Sequence, residues 1–286
     1  MGVPITPDSP IGIFDSGLGG LAVLREVRRL LPWENILFLG DTARQPYGPR
    51  TVEEVRRFAV EISGYLIHNG AKMVLIGCNT ATVAGLDAAQ AAFPQIPIIG
   101  MIEPGVRAAL QASPTRRIGV WGTEITIASQ AYDDAIHRAD PAASVIGIAC
   151  PTILRLAEKG RIDDIPYLAR LASEALEPVL AAQADTLILG CTDFTCLRSV
   201  IDQVVAGRLT VVDPAEEVAR EAERRLRQSR LLRPSGSPAH MTFRITGDDE
   251  ENFATFGARF LGLAQIPVSR VPLAEVRAWA DGACEP

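Results

Sequence analysis

The sequence predicts an α/β protein with parallel sheets, divided into two lobes of similar size. Short runs of four to six aliphatic residues alternate with segments in which apolar residues recur at helical spacing, which is typical of βαβ units. The 286 residues exceed one average domain and suit two α/β lobes of about 100–150 residues each. Hydrophobic residues make up 48% of the chain, so it can form a sizeable core.

Eight aliphatic runs are predicted to be strands buried on both faces, because polar and apolar residues do not alternate within them. They are Ile11–Phe14, Ile36–Leu39, Met73–Gly77, Ile96–Ile99, Ile118–Gly122, Val145–Ala149, Thr186–Gly190 and Leu209–Val212. Thr51–His68 and Ile165–Ala181 are predicted to be helices between such strands. Further along the chain, we predict a surface loop at Arg230–Ala239, a late edge strand at Phe243–Thr246 and a helix at Glu250–Leu261.

Charge and hydropathy disfavour several classes of partner. The net charge of -6 argues against a nucleic-acid partner, which needs a concentrated basic face. No apolar run approaches the ~20 residues that span a bilayer, and Met1–Pro10 lacks the basic and apolar regions of a signal peptide. We therefore expect a cytoplasmic protein that binds neither nucleic acid nor membrane. The sequence leaves the oligomeric state open, including a homodimer.

The reactive residues favour neither a metal nor an organic cofactor. The five cysteines form no CxxC pair and lie far from the histidines in sequence, which disfavours a zinc site or a disulfide framework; they are Cys78, Cys150, Cys191, Cys196 and Cys284. A pyridoxal-phosphate enzyme needs a Schiff-base lysine. Lys72 is predicted to open a strand and Lys159 to close a short helix, so neither suits that role.

A short pattern occurs twice in the chain. Met73–Thr80 reads MVLIGCNT and Thr186–Asp193 reads TLILGCTD. Each predicted strand therefore runs into Gly-Cys, which is followed by Asn-Thr in the first motif and by Thr in the second. Ligands of parallel α/β sheets bind at the carboxyl ends of the strands. Cys78 and Cys191 are therefore expected to face one cleft from opposite lobes. The alternative is that both are small apolar residues of the core.

Cysteine suits the transfer of a proton between two faces of a carbon atom. Its ordinary pKa of about 8.5 makes thiol and thiolate both accessible near neutrality. A helix that begins after each cysteine is expected to lower the pKa of the thiol further. Asn79, Thr80 and Thr192 place neutral hydrogen-bond donors beside the two thiols, and such donors suit a substrate carboxylate.

A glycine-rich turn follows the first predicted strand. Phe14–Leu21 reads FDSGLGGL and leads into a predicted helix at Leu21–Leu31. Backbone amides in such a turn can bind an anion; the alternative is that the glycines only permit a tight turn between strand and helix. Asp15 stands at the start of this turn, where it could orient a substrate ammonium group or assist a thiol.

The order of these motifs along the chain is similar to that of glutamate racemases. The segments that carry the resemblance are Phe14–Leu21, Gly40–Gly48 (GDTARQPYG), Cys78–Ala81 (CNTA), Ile99–Gly105 (IGMIEPG), Gly122–Tyr132 (GTEITIASQAY), Ala149–Pro151 (ACP), Glu158–Gly160 (EKG), Gly190–Thr192 (GCT) and Thr246–Gly262 (TGDDEENFATFGARFLG). The resemblance implies two α/β lobes related by a pseudo-twofold axis, with the substrate between them. Residues 1–100 and 211–286 would form the first lobe, and residues 101–210 the second.

The resemblance also implies an activity and a set of site residues. Cys78 matches the thiol that deprotonates D-glutamate, Cys191 matches the thiol that deprotonates L-glutamate, and no cofactor takes part. The positions that match substrate contacts are Asp15, Ser16, Tyr47, Gly48, Asn79, Thr80 and Thr192. Glu158 matches a carboxylate that assists from the edge of the cleft. The product, D-glutamate, would serve peptidoglycan synthesis and hence cell shape.

One position departs from the resemblance. The family usually has histidine and tyrosine after Gly-Cys-Thr, whereas this chain has Asp193 and Phe194. The Asp193 carboxylate is expected to raise the pKa of Cys191 or to relay the proton itself, so Asp193 is both a catalytic and a substrate-binding candidate. Aspartate racemases resemble the chain here, which leaves open another acidic amino acid as substrate. A catalytically impaired binding or regulatory protein is the other alternative.

Overall fold

The computed structural model describes residues 4–158 and 162–279, apart from the side chain of Glu158. The chain begins with β1 (Ile11–Asp15), α1 (Leu21–Leu30), β2 (Ile36–Gly40), α2 (Val52–His68), β3 (Met73–Ile76), α3 (Asn79–Ala92) and β4 (Ile98–Ile99). It continues with α4 (Ile102–Ala112), β5 (Arg117–Gly122), α5 (Glu124–Ala128), α6 (Ala131–Ala139), β6 (Ser144–Ala149), α7 (Pro151–Glu158), α8 (Ile165–Ala181), β7 (Thr186–Gly190), a 3₁₀ helix (Thr192–Leu197), α9 (Arg198–Val205) and β8 (Thr210–Val212). The last part contains α10 (Pro214–Gln228), β9 (Met241–Ile245), α11 (Glu250–Leu261), β10 (Val268–Arg270) and α12 (Leu273–Arg277).

Two parallel sheets confirm the predicted class of two α/β lobes. Strands of the first sheet lie in the order β10-β9-β2-β1-β3-β4, and those of the second in the order β6-β5-β7-β8. The order β2-β1-β3-β4 is thus repeated as β6-β5-β7-β8, the repeat that a pseudo-twofold relation requires. In this repeat β3 corresponds to β7, so Cys78 and Cys191 follow equivalent strands.

Helices cover both faces of each sheet, and β1, β2, β3 and β7 are buried along their whole length as predicted. The prediction was wrong for β6, which lies at the edge of the second sheet and has no buried residue. In the first lobe α1, α10 and α11 pack on one face, while α2 and α3 pack on the other. In the second lobe α7, α8 and α9 cover one face, and α4 and α6 cover the opposite one. These layers leave the carboxyl ends of the strands as the place where the two lobes can share a site.

The sequence explains where the two longest helices begin. The hydroxyl of Thr51 accepts the backbone N–H of Glu54 at 3.2 Å, and the Glu54 carboxylate accepts the N–H of Thr51 at 3.0 Å, which is a capping box at the start of α2. Asp164 caps α8 by accepting the N–H of Tyr167 at 3.1 Å. Both helices were predicted within one residue of these starts.

The strand predicted at Phe243–Thr246 is confirmed as β9, but its predicted position at the edge of the sheet was wrong. β9 lies between β2 and β10, and Phe243 is fully enclosed at 1% exposure. The edge is β10, a strand that the sequence pattern did not indicate because it has only three residues and none is buried. The predicted loop at Arg230–Ala239 does lack regular structure.

The lobe boundaries at 100/101 and 210/211 stay a prediction. β8 pairs with β7 in the second sheet up to Val212, whereas α10 packs into the first lobe. Over the described ranges 4–158 and 162–279, no helix combines the length and hydropathy that crossing a membrane requires.

Candidate active site

The two repeated cysteines lie at the carboxyl ends of β3 and β7. Cys78 precedes α3 and Cys191 precedes the 3₁₀ helix, both with extended backbone. Their side chains are nearly enclosed, at 6% and 8% exposure. A negative charge on Cys78 raises the pKa of Cys191, so the two sulfurs lie within electrostatic reach of each other. The structure therefore brings the two predicted acid/base groups, one from each lobe, to one site.

The expected lowering of the thiol pKa values was wrong. Burial raises the pKa of Cys78 well above its ordinary value, and the charge of Asp15 adds to this effect. Burial likewise raises the pKa of Cys191, followed by the charge of Asp193. The backbone N–H of Ala81 favours the Cys78 thiolate, but its effect is smaller. Loss of solvation thus outweighs the helix amides and favours the neutral thiol form of both groups.

Asp15 occupies the anion-binding turn that follows β1. Its carboxylate accepts the backbone N–H of Ser16 at 2.7 Å, the N–H of Gly20 at 2.6 Å and the Ser16 hydroxyl at 3.4 Å. Two of the turn's backbone amides therefore bind the protein's own carboxylate, and binding of a separate anion by this turn stays a prediction. Burial raises the pKa of Asp15, while a hydrogen bond from Cys78 works in the opposite direction. Asp15 is thereby fixed beside the first thiol.

Asp193 holds the corresponding place beside the second thiol. The Cys191 sulfur donates to Asp193 Oδ2 at 3.6 Å. The charge of Asp193 is the largest contribution after burial to the raised pKa of Cys191, in agreement with the effect expected from the sequence. Each thiol thus has a carboxylate neighbour.

The lobes approach each other closely at these carboxylates. The Thr192 hydroxyl lies 3.5 Å from Asp15 Oδ2 on the opposite lobe. A Cβ atom at Gly19 would lie only 2.5 Å from Thr192 Oγ1 and 3.0 Å from Asp193 Oδ1. A side chain at Gly19 would therefore displace the side chains of Asp15, Thr192 and Asp193 at the site, which explains one glycine of the FDSGLGGL turn.

Asn79 and Thr80, at the start of α3, form two further links between the lobes. The Thr80 and Thr123 hydroxyls are 3.0 Å apart. Asn79 Oδ1 accepts the Tyr132 hydroxyl at 2.7 Å, whereas Asn79 Nδ2 is buried and has no hydrogen-bond partner among the described residues. The residue that follows Cys78 thus carries an amide donor that is available to a ligand.

Tyr47 is fixed inside the first lobe by its hydroxyl. That hydroxyl donates to Asp41 Oδ2, which also accepts Arg44 Nε at 2.6 Å, and Asp41 Oδ1 accepts the Thr246 hydroxyl at 2.8 Å. Burial and the charge of Asp41 raise the pKa of Tyr47 well above its ordinary value. A contact between substrate and this residue therefore stays a prediction.

Gly48 borders a small pocket between the lobes. Its lining residues come from the loop after β2 and from the starts of α5 and α7, and its volume is about 140 Å³. They are Pro46, Gly48, Pro49, Thr123, Glu124, Pro151, Leu154 and Arg155. Because Thr123 also bonds to Thr80, the pocket lies next to the site.

Sequence reasoning did not single out every residue of this region. Asp41 and Arg44 belong to the GDTARQPYG segment, and Thr123 and Tyr132 belong to GTEITIASQAY, but only the structure shows their partners. Glu158 ends α7, and its side chain lies outside the described residues. Its assisting role remains a prediction.

No metal-binding arrangement is found in the part of the chain that the structure describes, since no three His, Cys, Asp or Glu side chains there are grouped to hold an ion. The chemistry that the described site offers is proton transfer. Its groups are two thiols, two carboxylates and several neutral donors.

Comparison with known proteins identifies the family. Residues 11–222 match the model of the Asp/Glu/hydantoin racemase family. The chain belongs to this family. It is 43% identical over 256 residues to the glutamate racemase of Microcystis aeruginosa, covering 90% of this chain and 89% of that relative. The glutamate racemase of Mycobacterium tuberculosis is 42% identical over 258 residues, covering 90% and 94% of the two chains.

Solved structures of the family share the whole fold. A glutamate racemase isoform from Bacillus anthracis superposes with a TM-score of 0.88 at 40% identity, covering 93% of this chain and 98% of that one. A glutamate racemase from Thermus thermophilus, solved with β-chloro-D-alanine, gives a TM-score of 0.81 at 38% identity and covers 94% and 99%. These similarities confirm the resemblance seen in the motifs and make the protein an amino-acid racemase, which is an isomerase.

Proposed function

We propose that the protein interconverts L- and D-glutamate without a cofactor, with Cys78 and Cys191 acting on opposite faces of the α-carbon. The observation that carries this proposal is the pair of thiols at equivalent strand ends of two facing lobes. The related glutamate racemases support glutamate as the substrate. The structure of the glutamate racemase from Francisella tularensis, which is 28% identical with a TM-score of 0.85, contains D-glutamate.

The reaction needs one thiolate and one thiol at a time. From L-glutamate, the Cys191 thiolate removes the α-proton, and the Cys78 thiol donates its own proton to the opposite face. This gives D-glutamate, a Cys191 thiol and a Cys78 thiolate, so the roles of the sulfurs are exchanged. The reverse reaction begins from that state, with Cys78 as the base.

The neighbours of the thiols have two proposed tasks. Asp15 and Asp193 accept hydrogen bonds from the thiols, and each can take up the proton when its thiol ionises. Asn79 Nδ2, Thr80 and Thr192 bind substrate carboxylate oxygens, since they are neutral donors at the starts of helices. Ser16, Tyr47 and Gly48 complete the proposed substrate site, and Glu158 assists catalysis from the edge of the cleft. The D-glutamate produced would supply peptidoglycan synthesis.

The experiment that tests this function follows L-glutamate in D₂O by polarimetry and proton NMR. We expect the optical rotation to decay to zero and the α-proton to be replaced by deuterium. Exchange of L-aspartate without exchange of L-glutamate would assign another acidic substrate. Binding of glutamate with no exchange of either amino acid would indicate a binding or regulatory protein.

A further inference from the structure

Tyr132 is a buried tyrosine of the second lobe whose hydroxyl crosses to the first lobe. It lies on α6 with 2% exposure, and its hydroxyl donates to Asn79 Oδ1 at 2.7 Å. Its ring packs closely against Gly190, just before Cys191, because a Cβ atom at Gly190 would lie 3.2 Å from Tyr132 Cε2.

The hydrogen bond to Tyr132 uses the oxygen of the Asn79 amide and leaves its NH₂ group available for another acceptor. Burial raises the pKa of Tyr132, and the charges of Asp213 and Cys191 add to this, so the hydroxyl stays protonated and can donate. Its acceptor is Asn79 Oδ1, which leaves Nδ2 turned away from Tyr132. That Nδ2 is buried without a partner among the described residues, and a buried donor of this kind is costly unless it binds an acceptor.

We propose that Tyr132 is a positioning residue that holds the Asn79 amide with its NH₂ group towards the substrate carboxylate. This inference rests on the proposed function. Without the Tyr132 hydroxyl, the amide can rotate by half a turn and present Oδ1, an acceptor, to the carboxylate. Because Tyr132 and Asn79 belong to different lobes, the bond also makes the correct orientation depend on the approach of the lobes.

Replacement of the donor alone tests the proposal. Tyr132→Phe keeps the ring and removes the hydroxyl, and one neutral hydrogen bond corresponds to about a three- to tenfold change in binding. We expect KM for L- and D-glutamate to rise by about that factor while kcat changes less. Tyr167→Phe on the exposed side of α8 is the matched control and should leave both constants unchanged. An unchanged KM in Tyr132→Phe would overturn the proposal.

A double-mutant cycle separates positioning of Asn79 from a general structural role. The dissociation constant of D-glutamate is measured by calorimetry for the wild type, Tyr132→Phe, Asn79→Ala and the double variant. Tyr132→Phe should weaken binding less than twofold once Asn79 is alanine, because there is then no amide to orient. Independent, multiplicative effects of the two substitutions would refute the assignment.

Two further points keep the test decisive. If Tyr132→Phe loses its cooperative thermal transition, 4-fluorophenylalanine at position 132 preserves the volume without a donor, and the same outcomes apply. Failure of the proposed function would be recognised separately, because the wild-type protein itself would then not racemise glutamate. If the wild type racemises glutamate and the KM of Tyr132→Phe equals that of the wild type, only the proposed role of Tyr132 is rejected.

Discussion

The Cys191 thiol donates to the Asp193 carboxylate across 3.6 Å. Cys78 has the same kind of neighbour in Asp15, which also raises the pKa of its thiol. Each lobe therefore supplies one thiol and one carboxylate. The negative charge of the carboxylate disfavours a negative charge on the neighbouring sulfur. The carboxylate is also the nearest group that can accept the proton when the sulfur ionises.

Removal of the charge at position 193 should alter the pH dependence from the L side. Asp193→Asn keeps the shape of the side chain and removes the negative charge, so the pKa of Cys191 should fall. We expect the rising limb of kcat/KM for L-glutamate to move to lower pH by about one to two units. Asp193→His should move it in the same direction, because histidine carries no negative charge. The measurement is initial-rate circular dichroism between pH 6 and 10.

Asp202→Asn is the matched control for this experiment. Asp202 lies on the exposed side of α9 and pairs with Arg198 at 2.8 Å, so its replacement should leave the profile unchanged. An unaltered profile in Asp193→Asn would show that the Asp193 charge does not act on Cys191. Complete loss of activity in a variant that still unfolds cooperatively would show that uptake of the thiol proton by Asp193 outweighs the effect of its charge on the pKa of Cys191.

Alkaline pH should destabilise the protein through its buried thiols. Burial raises the pKa of Cys150 from 9.0 to about 12. Above pH 9 the unfolded chain therefore releases this proton while the folded chain keeps it, so the stability present at lower pH is lost as the pH rises towards 12. The expected slope is about 1.4 kcal/mol per pH unit for each such thiol. Cys78 and Cys191 have the same sign.

Cys150→Ser isolates one of these thiols. Urea unfolding at pH 9.5 and 10.5 should show a pH slope smaller than that of the wild type by about 1.4 kcal/mol per unit. Between pH 7 and 8 the two slopes should be equal, because the thiol is protonated in both states. Identical slopes at alkaline pH would contradict the prediction.

A buried ion pair should stabilise the first lobe. Lys72 Nζ donates to Glu34 Oε2 at 2.6 Å, to the Pro7 carbonyl at 2.6 Å and to the Leu231 carbonyl at 2.9 Å. Lys72→Met leaves the Glu34 charge buried without its cation, so we expect a loss of about 3–5 kcal/mol in unfolding free energy. Urea denaturation measures this loss.

The exposed pair of Arg138 and Glu103 is the control for the buried one. Arg138→Met should have little effect, since both side chains are more than half exposed. The double variant Lys72→Met with Glu34→Leu should lose less than the sum of its single variants, because neither charge then stays buried alone. An effect of Lys72→Met as small as that of Arg138→Met would reject the role of the pair.

Local patterns were sufficient to predict the strands that carry the site. The runs before Cys78 and Cys191 are continuous in sequence, so the same few residues decide the strand and the position of the thiol at its end. β10 could not be predicted in this way. Its three residues are exposed or half-buried, and its pairing with β9 depends on the packed sheet.

Contacts between distant segments account for the rest of what sequence analysis missed. Tyr132 and Asn79 are 53 positions apart, and Thr246 and Asp41 are 205 apart, so no local pattern indicates these bonds. The raised thiol pKa values have a similar origin. They depend on burial between the lobes, which outweighs the local effect of the helix amides that the sequence does show.

The exchange of the α-proton by cysteine variants tests the two-thiol mechanism most directly. Cys78→Ser and Cys191→Ser are compared with Cys150→Ser, a buried cysteine at the end of β6, by polarimetry of both glutamate enantiomers in D₂O. We expect both site variants to lose racemisation while Cys150→Ser retains it, because the poorly acidic serine hydroxyl cannot replace either thiol. Full racemase activity in Cys78→Ser or in Cys191→Ser would contradict the mechanism.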